Sequence, residues 1–243
     1  MAASEVEHDN GRIDTIRRPA GADCRTFRCD VDPRSRRLTW IAGLAAAVVF
    51  MVGSGMWALD QPTAGASAEE IADFYSDAST RIVIGGSLSL VAIALFTIFA
   101  SGVRSMLREH DVDDLFALTA FGGLLLLLAA GVGAETINMA GAMRAADGDL
   151  SPELGRAVFE ISYVLGYNGA GVGGGIALLA VAGAAWRSPR FLPGWAAPVL
   201  AVAALLLMTP LSVYLLAPAV VVFAIVAGRM VLRGLSPRPS PAP

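Results

Sequence analysis

Residues 115–142 read LFALTAFGGLLLLLAAGVGAETINMAGA, an apolar run interrupted by one charge, Glu135. About 20 apolar residues cross the roughly 30 Å of hydrocarbon in a bilayer, and this run is longer than that. Lipid offers backbone amides and carbonyls no partner, so such a segment spans as a helix. Five more runs of the same character flank it: Leu38–Leu59, Arg81–Val103, Val158–Trp186, Phe191–Met208 and Leu211–Leu232. The fold class this implies is all-α, a polytopic membrane protein with six transmembrane helices.

Composition agrees. Of 243 residues 55% are apolar and 16% charged, with mean hydropathy +0.61; soluble domains carry about 25% charge. All 18 basic residues are arginine. Residues 1–37 read as a polar, disordered tail, 38–233 as the six-helix domain and 234–243 as a Pro-rich tail. The first 37 residues contain no apolar core of a cleavable signal, so Leu38–Leu59 is expected to be a retained anchor. Cys24 and Cys29 in that tail read as reduced thiols rather than a structural disulfide.

Arginine positions set the orientation. Fifteen fall on the side of the N-terminal tail, including Arg34, Arg36, Arg37, Arg104, Arg108 and Arg187; three, Arg81, Arg144 and Arg156, fall on the other. Cytoplasmic loops are the arginine-rich ones, so both termini are expected in the cytoplasm of a bacterium, the chain crossing its plasma membrane several times. Trp40, Trp57, Trp186 and Trp195 lie near span ends, where amphipathic rings settle.

Two loops on the arginine-poor side carry helix signals. Ser67 and Glu70 form a capping-box pattern, and Ile71, Phe74, Tyr75 and Ala78 then recur on one helical face. This predicts a short amphipathic helix lying against the outer surface, either covering the ends of the other helices or floating at the headgroups. Ser151-Pro152 reads as the N-cap and first residue of the fourth span. From Pro152 to Trp186 is too long for one crossing, so spans three and four are expected to project beyond the bilayer or break near their glycines.

Glu135 in span three and Glu160 in span four are the candidate chemical groups, since carboxylates in a transmembrane segment are costly and mark function by default. Counted along its helix, Glu135 falls at the outer edge of the apolar band. A hairpin folded about Gly148 puts Glu160 at the same level, with Asn138 and Tyr163 one turn from their carboxylates and Arg81 close by. Arg81, Glu135, Asn138, Glu160 and Tyr163 therefore form a candidate outer-face cluster. It reads either as a pocket sharing a proton or holding a cation, or as a structural ion-pair network around Arg81 in contact with solvent.

Gly169, Gly171, Gly173 and Gly175 make two small-xxx-small pairs, which let helices approach closely; Asn168 beside them could bond across that contact. The match of Gly169, Gly171 and Gly174 to a dinucleotide fingerprint has no meaning inside an apolar helix, because that motif works only between a strand and a helix. His8 and His110 lie outside the spans, so neither a haem nor a membrane serine–histidine pair is implied. No cofactor, metal site or nucleic-acid partner is expected.

Ala68-Glu69-Glu70-Ile71 through Phe74-Tyr75 to Arg81, the glycine-rich fourth span and Leu192-Pro193-Gly194-Trp195 carry a resemblance. Over roughly Leu38 to Arg233 the chain resembles a group of six-helix integral membrane proteins of GC-rich, actinobacteria-like bacteria. The long N-terminal tail departs from that pattern. The resemblance implies the architecture and brings no activity with it. The leading expectation is a non-enzymatic accessory or regulatory subunit, assembling as a homo- or hetero-oligomer through span four. The alternative is a small transporter or cation- or proton-binding protein using the carboxylates. A lipid-active enzyme with its site at the outer face is the third.

Overall fold

The computed structural model describes residues 33–58, 60–63, 65–109, 113–188, 192 and 195–235. Cys24, Cys29, His8, His110, Pro193, Gly194 and residues 236–243 of the Pro-rich tail lie outside these residues. The described chain is helical, with no strand: α1 (Pro33–Ala58), α2 (Ala68–Glu109), α3 (Asp114–Ala146), α4 (Pro152–Tyr163), a π-helical turn (Val164–Gly169), α5 (Ala170–Arg187), α6 (Ala196–Leu207) and α7 (Ser212–Leu235). Four stretches are long and apolar enough to cross a membrane: Arg34–Ala58, Ala68–Arg108, Asp114–Ala146 and the continuous rod Pro152–Arg187. The fifth expected span is shorter: α6 has 12 residues, about 18 Å of helix. In the sixth, the apolar stretch is Pro218–Gly228, with Pro218 inside α7.

Helices α1, α2, α3 and α5 pack each on the next, α6 lies along α5, and α7 returns to α1, so the elements enclose a common centre. α2 is 42 residues long, about 63 Å, twice the thickness of a hydrocarbon core. Its first turns, the end of α3 and α4 form a head at the end of the bundle that carries Gly148. The end where α1 starts is called the base.

The amphipathic segment after Ser67 is therefore not a separate surface helix; it is the first part of α2. Ser67 does cap it, accepting a bond from the Glu70 amide at 3.2 Å. Its apolar face is the predicted one, but it packs inward: Ile71, Phe74, Tyr75, Ala78 and Ile82 are buried with Ala142 and Phe159. Beyond the apolar band water drives such burial, at roughly 1.5–3 kcal/mol per large side chain, so the face is better used in the head than against lipid. Ser151 caps α4 through the Leu154 amide at 3.3 Å, with Pro152 following it. Gly148, at φ 77°, turns the hairpin between α3 and α4, a backbone that side chains resist.

Within the apolar band the bundle is held by small residues. The four singled-out glycines meet α3, the end of α6 and the start of α7. A Cβ on Gly169 would press on Ala130, and one on Gly173 would strike Leu127 and Gly123 of α3. One on Gly171 would strike Leu207, and one on Gly175 would strike Met208 and Ala204 of the α6 end. Asn168 is exposed and faces away from these contacts. At the base, Trp40, Phe96, Phe99 and Phe223 join α1, α2 and α7, with the Phe99 and Phe223 rings 4.9 Å apart.

Candidate functional site

At the centre is a cavity of about 320 Å³ that takes side chains from α1, α2, α3, the π turn, α5, α6 and α7. Its walls are Ala, Leu, Ile, Val, Phe and Gly; Phe50, Phe96 and Phe223 close one side, and Leu127, Leu128 and Leu207 another. One lining side chain is charged: Glu135.

Glu135 is 8% exposed. Its carboxylate rests against Gly86 of α2, where a Cβ would stand 3.3 Å from Oε2. The polar group beside it is Ser89, itself fully buried. Ser89 is near enough for its hydroxyl to interact with the carboxylate, yet neither Glu135 Oε2 nor Ser89 Oγ makes a hydrogen bond of good geometry among the described residues. Buried polar atoms are nearly always paired, so this orphaned oxygen at a cavity wall needs a specific reason.

The contacts place Glu135 relative to α2. Gly86 and Ser89 lie five and eight residues past Arg81, so Glu135 is level with a point roughly 8–12 Å along α2 from Arg81 at 1.5 Å per residue. Counting along α3 alone misses this, because α3 runs on into the head and its register against α2 fixes the level.

The expected five-residue cluster divides into separate contacts. Arg81 pairs with Asp60 at 2.6 Å, both exposed. Glu160 pairs with Arg156 one turn before it at 2.8 Å, its side chain 54% exposed, so it does not join Glu135. The reason is rotational: equal height in a hairpin places two residues at one level without turning both inward. Asn138 is buried and accepts a 2.6 Å hydrogen bond from the Tyr75 hydroxyl. Sequence reading placed Tyr75 on a surface helix and so missed it. Ser162, also buried, lies beside Tyr75.

Tyr163 packs against Tyr167, the two following Glu160 at i+3 and i+7 in the sequence; neither ring is part of the cavity lining. Their rings are 4.7 Å apart, and Tyr163 stacks on Phe159. Tyr167 lies within electrostatic reach of Glu135, and Tyr214 of α7 within reach of Tyr163. Tyr167 belongs to the π turn, where one wider turn re-aims side chains; such turns favour functional sites. Gly166 in the same turn lines the cavity. The signal available in the sequence was Tyr163-x-x-x-Tyr167 facing the level of Glu135, a pattern that gains meaning only once the cavity is known.

Surface charge follows the same axis. The head exposes Asp60, Glu69, Glu70, Asp73, Asp77, Asp147, Asp149, Glu153 and Glu160 against Arg81, Arg144 and Arg156. Arg34, Arg36, Arg37, Arg104, Arg108 and Arg187 are exposed at the base. Among the described residues no group of His, Cys, Asp and Glu is placed to hold a metal ion. No protein-family model, curated protein or solved structure matches the chain.

Proposed function

We propose that the protein is an integral membrane protein of the bacterial plasma membrane that binds a hydrophobic organic cation, an amine or quaternary ammonium on an apolar body. The base faces the cytoplasm. The observation that carries this reading is the buried Glu135 carboxylate with an unpartnered oxygen at the wall of an otherwise apolar cavity. A charge in hydrocarbon is costly unless paired, and a cation entering the cavity would pair it while its apolar body fills the rest. Tyr167, within electrostatic reach of Glu135, would offer an aromatic face to a cation held at that carboxylate, a contact worth roughly 0.5–2 kcal/mol. The cavity volume falls within the range of small-ligand sites, and the acidic head would concentrate cations at that end of the protein.

The reading as an assembling accessory subunit rests on the glycines of span four and on the absence of a deep polar pathway. α3 and α6 of the same chain pack against those glycines, and Glu135 at the cavity wall is a buried polar group, so the cavity is the better guide.

The test is ligand-dependent thermal stability of the full chain in neutral detergent. Octylamine and octyltrimethylammonium share a tail with octanol and differ in charge. The two cations should raise Tm for wild type, octanol should not, and Glu135→Gln should abolish the response. Equal stabilisation by octanol, or an unchanged response in the Gln variant, removes the proposal. Flux measured in vesicles would then separate a carrier from a receptor.

A further inference from the structure

A second recess lies at the base, remote from Glu135. It has a volume of about 250 Å³ and is lined by Ser101, Arg104, Ser105 and Arg108 of α2 and Phe121 of α3. The four α2 residues fall at i, i+3, i+4 and i+7, which places them on one face of the helix. Phe121 forms the wall, with the Arg104 guanidinium 5.6 Å above its ring. Asp114 holds Arg108 at 3.0 Å. Both serine hydroxyls donate back to their own helix, Ser101 to the Thr97 carbonyl at 3.0 Å and Ser105 to the Ser101 carbonyl at 3.2 Å. Each can turn from that bond to an incoming oxygen at small cost, since the carbonyl keeps its helical donor.

From these contacts we infer that this recess binds the phosphate of an anionic lipid headgroup. Two guanidiniums and two hydroxyls converging on one recess supply the donors a phosphate takes, and arginine provides them in a planar fork. Basic recesses between transmembrane helices at the cytoplasmic side favour such headgroups. The surroundings select a lipid over free phosphate. One turn nearer the bundle centre than Ser101 is Ile98, 47% exposed, and one turn nearer than Phe121 is Leu125, 39% exposed. An acyl chain hanging from a headgroup in the recess would run directly over these two side chains. Plain arginine topology signals need neither the recess nor the apolar strip beside it.

The experiment is native mass spectrometry of the full chain from neutral detergent, titrated with dioleoyl phosphatidylglycerol, dioleoyl phosphatidylcholine or inorganic phosphate. The first phosphatidylglycerol should bind at least fivefold more tightly than phosphatidylcholine, whose phosphate is neutralised by its own choline. Arg104→Gln should weaken it about fivefold, the loss expected for one arginine near a membrane surface, and Arg104→Lys, which keeps the charge but not the planar fork, should recover only part of that loss. Arg37→Gln removes an exposed charge at the same end but outside the recess, and should leave binding within twofold. Arg104 is exposed, so these variants should fold. Equal losses for Arg104→Gln and Arg37→Gln would mean diffuse attraction and overturn the site. Displacement of the lipid by inorganic phosphate at a similar concentration would make free phosphate the ligand and overturn the lipid assignment. Neither outcome touches the Glu135 cavity, which this inference does not use.

Discussion

The Tyr75 hydroxyl donates a 2.6 Å hydrogen bond to Asn138 Oδ1, with both side chains buried. The pair ties the head portion of α2 to α3 one turn from Glu135. It thereby links the buried core of the head to the wall of the central cavity. Asn138 is held by this bond, which makes it a support for Glu135's helix rather than a member of an ion-pair network.

Tyr75→Phe should lower stability by roughly 1–3 kcal/mol, because it leaves a buried acceptor unsatisfied while keeping the ring's packing. Unfolding in detergent with a graded denaturant checks this. A double-mutant cycle with Asn138→Ala should show coupling between the two positions; additive losses would mean the bond contributes nothing.

Gly173 sits at a tight helix crossing, with Leu127 and Gly123 of α3 against it. Gly173→Ala should destabilise by about 1–3 kcal/mol through overpacking. Gly133→Ala is the matched control: its Cβ would meet only Leu165 Cδ1, at 3.5 Å. That change should be neutral or slightly stabilising, since alanine favours helix over glycine. Thermal melts of the two variants side by side decide the matter.

The two carboxylates that looked alike in the sequence should behave differently. Glu160→Gln touches an exposed i,i+4 pair with Arg156 and should leave both melting and cation response as in wild type. Glu135→Gln should abolish the cation response. Its ligand-free Tm should stay level or rise, because a neutral amide is less costly to bury than an unpaired carboxylate. Identical phenotypes for the two variants would contradict the cavity assignment.

Tyr167→Leu preserves bulk beside Glu135 and removes the aromatic face. Octyltrimethylammonium affinity should fall by roughly 1–2 kcal/mol, the scale of a desolvated cation–π contact. Titration of the variant by calorimetry against wild type gives the difference directly. An unchanged affinity would leave Glu135 as the sole recognition element.

Much of the architecture was legible in the chain itself. Leu115–Ala142 and its counterparts had to be helical because nothing but a helix satisfies its own backbone in hydrocarbon. Ser67 and Ser151 announced two helix starts through capping that acts within four residues, and the face Ile71–Phe74–Tyr75–Ala78 was assigned as apolar correctly. What covered that face was not legible: it turned out to be α3 and α4, not a lipid surface. Glycine spacing in span four likewise announced close contact without naming the neighbours.

Local pattern thus determined helix, cap and the apolar face of each helix, since these depend on residues a few positions apart. The tertiary structure alone decided the rest. It put Glu135 against Gly86 inside the bundle and turned Glu160 out to Arg156; it brought Tyr75 to Asn138 and left a cavity where seven elements meet. Burial and pairing belong to the contact between two helices, and the rotation and register of that contact are set by packing summed over both surfaces, which the periodicity of either helix alone does not contain.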